Sequence, residues 1–259
     1  MKKQFTFTID DNIWFLREVT NGEYPSLFSH PYTRTLKELH EQFGVKIQLN
    51  LFYQDSLFTL AEMTEKYKDE WEQNADWLKL SFHSLLENRY PYENSDYQEV
   101  YGDCQKVQNE ILRFAGKNSL AKTTTVHCCR TTEEGVRALV DCGVKGLLGL
   151  FGEDEETRTS YALPEVFAER LRRGEIVCVN EVTFAKIDVI LNLFDIPSIL
   201  EQLRDLRDRN VIRVMIHEQF FYPDYVRYQP NFKEKLEATF SYLQECGFSS
   251  CFFEDIIER

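Results

Sequence analysis

Phe5-Thr6-Phe7-Thr8-Ile9-Asp10-Asp11 opens the chain with an aromatic and β-branched run that stops at two adjacent acids. Such residues suit a strand and acidic ones do not, so the acid pair marks a strand exit. Outward from there, clusters of the same kind recur along the chain. The expected strands are 4–10, 45–53, 77–82, 121–127, 145–151, 186–194, 211–217 and 250–254. Helical patterns fall between them at 32–43, 60–74, 95–115, 131–142, 163–173, 197–209 and 231–246. Several helix ends are visible. Thr131-Thr132-Glu133-Glu134 offers an N-cap and Gly143 a stop, Gly44 and Gly247 close two others, and Pro164 and Pro197 sit near helix starts.

Alternation of strand and helix implies parallel strands joined by crossover helices. Seven or eight such units predict an α/β fold, a single irregular (β/α)7–8 barrel spanning residues 1–259, and about 250 residues is a usual size for one. No Gly-x-Gly-x-x-Gly follows the first strand, which weakens the open, dinucleotide-binding alternative.

The formal charge is −13, with 30 Lys and Arg against 43 Asp and Glu, which argues against a nucleic-acid partner. No run of about 18 apolar residues occurs, so no membrane span is expected. The seven cysteines, at 104, 128, 129, 142, 178, 246 and 251, are odd in number and lack framework spacing, which suits reduced thiols. Cys128 and Cys129 read as buried hydrophobes. Met-Lys-Lys-Gln runs straight into a strand without the apolar core of a signal peptide, so a cytoplasmic location is expected. Gly152-Glu153-Asp154-Glu155-Glu156 reads as a solvated loop near the barrel mouth.

In parallel β/α folds chemistry collects at the carboxyl ends of strands. Of the five histidines, His83, His127 and His217 fall at or just past expected strand ends, whereas His30 and His40 fall in a loop and a helix. His83-Ser84-Leu85-Leu86-Glu87 follows the third strand. If that stretch is a helical turn, His83 and Glu87 point the same way. With Asp11 they would hold a divalent metal, leaving Asp10 free to move a proton. Asp188, Asn192 and Glu218 lie on or near strand ends as candidate pocket lining.

Asp10-Asp11-Asn12, His83-Ser84-Leu85-Leu86-Glu87 and the late Val214-Met215-Ile216-His217 together resemble the NodB-type polysaccharide deacetylases in order and spacing over most of the chain. That family has an irregular β/α barrel and the motifs Thr-Phe-Asp-Asp, His-Ser/Thr-x-x-His and Leu-x-x-His. The resemblance implies Asp10 as base, Asp11 and His83 as metal ligands, and His217 as the acid that protonates the leaving group. Glu87 stands where the family has its second histidine. Taken as the third ligand, it adds a negative charge, which lowers the Lewis acidity of the ion and moves preference toward harder metals such as manganese. The implied cofactor is one divalent ion, with zinc first and manganese or cobalt behind it. The family's Arg-Pro-Pro-Tyr-type motif is replaced by Val126-His127-Cys128-Cys129-Arg130. There His127 either supplies the lost ligand or hydrogen-bonds substrate, and Arg130 orients the base or contacts substrate. The implied activity is metal-dependent hydrolysis of an amide C–N bond, in an N-acetylated oligosaccharide or a small amide. The alternative is a barrel that has lost catalysis and only binds a carbohydrate-like ligand or a protein partner.

Overall fold

The computed structural model describes residues 2–87, 92–153 and 160–258. Residues 154–156 of the expected acidic loop lie outside the described residues. The strands are β1 (Gln4–Asn12), β2 (Ile47–Gln54), β3 (Leu78–Leu86), β4 (Thr123–Thr124), β5 (Gly146–Gly149), β6 (Val177–Val179), β7 (Val182–Lys186), β8 (Val189–Ile190), β9 (Val211–His217) and β10 (Ser249–Ser250). One sheet has the order β3-β2-β1-β9-β8, with β10 also paired to β1 at its start. The other has the order β4-β5-β7-β6. Every pairing is parallel except the β6–β7 hairpin.

The two sheets adjoin at both edges. A parallel bridge pairs Leu80 of β3 with Leu120, just ahead of β4. On the other side the chain leaves β7, donates from the Ile187 N–H to Gly149 in one sheet, and then from the Asp188 N–H to Arg213 in the other. Among the described residues no continuous ladder closes the two sheets. The architecture is therefore α/β with two parallel-rich sheets side by side, coarser than the closed barrel expected from the alternation.

Alternation along β1 sorts its side chains. Phe5 and Phe7 face outward onto Phe240 of the helix Phe232–Glu245, with ring centroids 5.7 and 5.0 Å apart. Thr6, Thr8 and Asp10 take the opposite face and are buried. That inner face is polar. Gln48 of β2 donates to the Thr123 carbonyl at 2.9 Å and accepts from the Thr123 hydroxyl at 2.8 Å, while Ser81 of β3 donates to the same carbonyl at 2.8 Å. The inner faces of the two sheets thus meet through hydrogen bonds, and the apolar core lies between the sheets and the surrounding helices.

Several expected boundaries move. Strand 121–127 shrinks to two residues, and 186–194 is replaced by β7, β8 and a 3-10 turn at Leu191–Leu193. The hairpin strand β6 was not expected, because Gly174 and Glu175 and the exposed Cys178 break its pattern. Helix 60–74 is a 3-10 turn at Leu60–Glu62 followed by a short helix at Lys68–Gln73. Helix α1 (Trp14–Asn21) was missed although it buries Phe15, Leu16 and Val19. Its N-terminus has no local cap. The buried carboxylate of Glu218 accepts from the N–H groups of Ile13 (2.6 Å), Trp14 (3.0 Å) and Phe15 (2.7 Å) instead. Glu218 is thus a distant helix cap, satisfying donors that a helix start leaves unpaired. The N-cap at Thr132 and the left-handed stop at Gly44 follow the expected pattern.

Candidate metal centre

Two β-bulges shape the site. Along β1 and β2, Ile9 pairs with Leu49 but Asn12 pairs with Leu51, so β1 carries one extra residue where Asp10 and Asp11 lie. Asp11 adopts φ +63°, a left-handed conformation that acidic residues tolerate better than most. Neighbours on a regular strand would point to opposite faces; this break lets Asp10 and Asp11 serve one site. Between β2 and β3, Leu51 pairs with Phe82 and Phe52 with Ser84, which leaves His83 as the extra residue.

His127 comes from the other sheet. It opens a 3-10 turn, His127–Cys129, in which Cys128 and Cys129 have φ +57° and +56°. Just ahead of it the Val126 N–H donates to the Tyr161 hydroxyl at 3.1 Å, and that hydroxyl donates to the Leu148 carbonyl at 2.6 Å. Tyr161 thereby ties the His127 turn to the end of β5.

The three side chains converge. Asp11 Oδ1 lies 3.0 Å from His83 Nε2 and 3.4 Å from His127 Nδ1, and the two imidazole nitrogens are 3.2 Å apart. One ligand atom from each of the three residues lies within 4.8 Å of the others, as a shared metal ion requires. Phe52 packs edge-on against both rings at 5.1 Å, which fixes their tilt. His83 Nδ1–H donates to the Thr125 carbonyl at 2.5 Å, and this settles the tautomer. With that proton spent, the Nε2 of a neutral ring would turn its lone pair toward a carboxylate oxygen 3.0 Å away. Two acceptors at that distance repel unless a proton or a cation lies between them. The donor set of two imidazoles and one carboxylate suits zinc or cobalt.

Burial alone would raise the Asp11 carboxyl, but the imidazoles of His217, His127 and His83 outweigh it and hold it well below the usual carboxylate range. Burial would lower His127; hydrogen bonds to Asp11 and Cys128 prevail and raise it to about 10. Asp10 is 2% exposed, and burial raises its carboxyl against the pull of His83, His217 and the Asn50 amide. Asn50 Nδ2 donates to Asp10 Oδ1 at 2.6 Å, which fixes that oxygen. His217 stands beside Asp10 in the β1–β9 register, and its Nδ1–H donates to Asn192 Oδ1 at 2.9 Å.

Glu87 and Arg130 take other places. The stretch expected as a helical turn is strand, since β3 runs through Leu86. Glu87 therefore lies past the strand end rather than one helical turn above His83. It is half-buried beside Trp14 and Gln219, and burial, Asp55 and Asp11 raise its carboxyl. Arg130 donates to Glu93 at 2.9 Å. Of the candidate lining residues, Asn192 reaches the site through His217, Glu218 caps α1, and Asp188 pairs with Arg209 and Arg213. Reading the sequence missed Asn50 and the Tyr161 tie, which only the pairing of distant strands brings to the site.

The fold has solved relatives. Over 100% of this chain it matches 40% of a 4-alpha-glucanotransferase from Thermococcus litoralis, with TM-score 0.63 and 13% identity. It matches a family 4 acetyl xylan esterase from Clostridium thermocellum, solved with a cobalt ion, with TM-score 0.54 and 12% identity over 99% of this chain and 91% of that one. A CE4 family pseudoenzyme from Bacillus anthracis gives TM-score 0.54 and 11% identity over 99% of this chain and 66% of that one. The chain shares the fold of the CE4 family. That is the fold the NodB-type resemblance implies, and it covers nearly the whole chain at low identity. The chain spans less than half the length of the glucanotransferase. No protein-family model matches the sequence, and no curated protein matches it significantly.

Proposed function

We propose that this chain is a metal-dependent deacetylase that hydrolyses the amide of an N-acetylated sugar or a related small amide. One observation supports the reading: one ligand atom each of Asp11, His83 and His127 lie within 4.8 Å of one another, and the Nδ1 bond of His83 to the Thr125 carbonyl turns its Nε2 to the Asp11 carboxylate. In this reading His127, rather than Glu87, completes the ligand set. The set then holds one negative charge, not two, which favours zinc or cobalt over harder ions. The ion bound there would supply Lewis acidity and a more acidic water.

The chain's own residues supply the rest. Asp10, steadied by Asn50, takes the proton of the attacking water through its other oxygen. His217, held through Nδ1 by Asn192, turns its other nitrogen to the site and protonates the departing amine. An amine leaves poorly unless protonated, so an acid of this kind fits an amide better than an ester. Glycosyl transfer, the activity named for the glucanotransferase of the same fold, requires two carboxylates flanking one bond. Here Asp11 is engaged by two imidazoles, which leaves Asp10 for proton transfer rather than as one of a flanking pair.

A second reading, a barrel that binds carbohydrate without catalysis, draws on Arg130, which pairs with Glu93. A panel of N-acetylated sugars and small amides, assayed with zinc, cobalt and manganese, separates the two. Acetate release that depends on metal and on Asp10 supports the deacetylase. Stoichiometric metal with saccharide binding and no release across the panel supports the second reading.

A further inference from the structure

Below the metal centre the inner face of the six-stranded sheet carries polar groups that the proposed reaction does not use. Arg213 shares the inner face of β9 with Met215 and His217, and it is 1% exposed. The Asp188 carboxylate accepts from Arg213 Nε at 3.0 Å and from Nη2 at 3.3 Å. The same carboxylate accepts from Arg209 Nη1 at 2.7 Å. Two guanidiniums, the buried one of Arg213 and the partly exposed one of Arg209, therefore share one carboxylate. Arg213 Nη1 has no hydrogen-bond partner. Thr6 sits directly beside Arg213 in the β1–β9 register, and Thr8 is the next inner-facing residue above it. The hydroxyls of both threonines are buried without partners.

Buried polar groups are almost always paired, and leaving one unpaired is costly, more so when it is charged. Three such groups on one face of two adjacent strands therefore mark a place where an acceptor would be held. All three can donate, and one of them belongs to a guanidinium, so the ligand is an acceptor and, against Arg213 and Arg209 with Asp188 between them, an anion. It is small, because Gln48 already hydrogen-bonds to both Asn50 and Thr123 across this interior.

We propose that a halide-sized monovalent anion, chloride in ordinary buffers, is bound inside the protein by Arg213 Nη1 and the Thr6 hydroxyl, with Thr8 adjoining. The site is separate from the metal centre and independent of the deacetylase reading. It would clamp β9 to β1 beneath the residues that carry the chemistry.

The test is thermal melting of the intact protein in sodium chloride against sodium gluconate at equal ionic strength. Chloride should raise Tm by about 3 °C in a saturable manner, as expected of a ligand that binds only the folded state. Thr6→Val removes one donor and keeps the charge, and it should abolish most of that increment while the protein still folds. Asp11→Ala should keep the increment, which separates it from halide at a metal ion. In crystals grown with bromide, an anomalous peak should lie in contact with Arg213 Nη1. Equal melting in the two salts with no such peak means that water alone fills the site, and the proposal fails. A chloride increment unchanged by Thr6→Val, with bromide bound elsewhere, overturns it too.

Discussion

The six-stranded sheet and the stretch between β3 and β8 make unequal contributions to one site. β1, β3 and β9 are seven to nine residues long and deliver Asp10, Asp11, His83 and His217 at or near their exits. The second sheet has strands of two to five residues and delivers one side chain, His127, from a turn with two left-handed cysteines. A long parallel strand sets the direction of its exit residues through many ladder hydrogen bonds. A two-residue strand sets almost nothing, so His127 depends on local backbone strain and on the Tyr161 hydrogen bonds. The centre is therefore held by rigidity on one side and by a tied turn on the other.

The largest effect expected from the regular side is catalytic. On a substrate found in the panel, Asp10→Asn should lower turnover by about 10²–10⁴-fold with metal content unchanged. A fully active Asp10→Asn enzyme would remove the base from the account. Next in size is Glu218→Ala. It strips the distant cap from α1 and leaves the N–H groups of Ile13, Trp14 and Phe15 unpaired, two of them buried, at an expected loss of about 3–5 kcal/mol in urea unfolding. A loss below about 1 kcal/mol would show that α1 is secured by its apolar face alone.

The Asp11–His127 pair spans the two regions and should register in pH dependence. His127 is raised from 6.5 to about 10, so in metal-free protein its stabilisation is fully present below 6.5 and is lost as pH rises through about 10. Asp11 is lowered from 3.8, so its share is present above 3.8 and is lost as pH falls through its depressed value. Metal-free protein should thus gain most from this pair between 3.8 and 6.5. Metal binding at the proposed site should run the other way, because an ion on His127 would displace its proton. Affinity should rise about tenfold per pH unit through the neutral range, read by competition with a chelator. A flat profile would mean that His127 carries no proton to lose. The smallest effect belongs to the irregular side. Cys128→Gly accepts φ +57° without penalty and should stabilise by about 0.5–1 kcal/mol, with metal retained. Destabilisation there would show that the Cys128 contact to His127 outweighs the backbone strain.

What could be read in the sequence follows the same division. β1, β2, β3 and β9 were legible because each is a long run of β-branched and aromatic residues, and the acids at the end of β1 stood out by contrast. The site candidates on those strands were legible with them. The two bulges were not, since nothing local marks Asp11 or His83 as an extra residue. Without the β3 bulge the spacing from His83 to Glu87 looked like a helical turn. The β3 strand in fact continues to Leu86, and His127 holds the nearer position. Helix α1 escaped because its cap lies on Glu218, some 200 residues away. Asn50 and Asn192 escaped because their partners Asp10 and His217 lie on other strands and turns. Long strands announce themselves, while contacts between distant segments require the fold.

The most direct test of the account is the metal content of purified protein by elemental analysis, comparing wild type with His127→Ala and Glu87→Ala, each checked for folding by circular dichroism. Wild-type protein should hold one zinc or cobalt ion per chain, Glu87→Ala the same occupancy, and His127→Ala should lose at least about 100-fold in affinity. Full metal in His127→Ala together with loss in Glu87→Ala would contradict this and move the third ligand to Glu87.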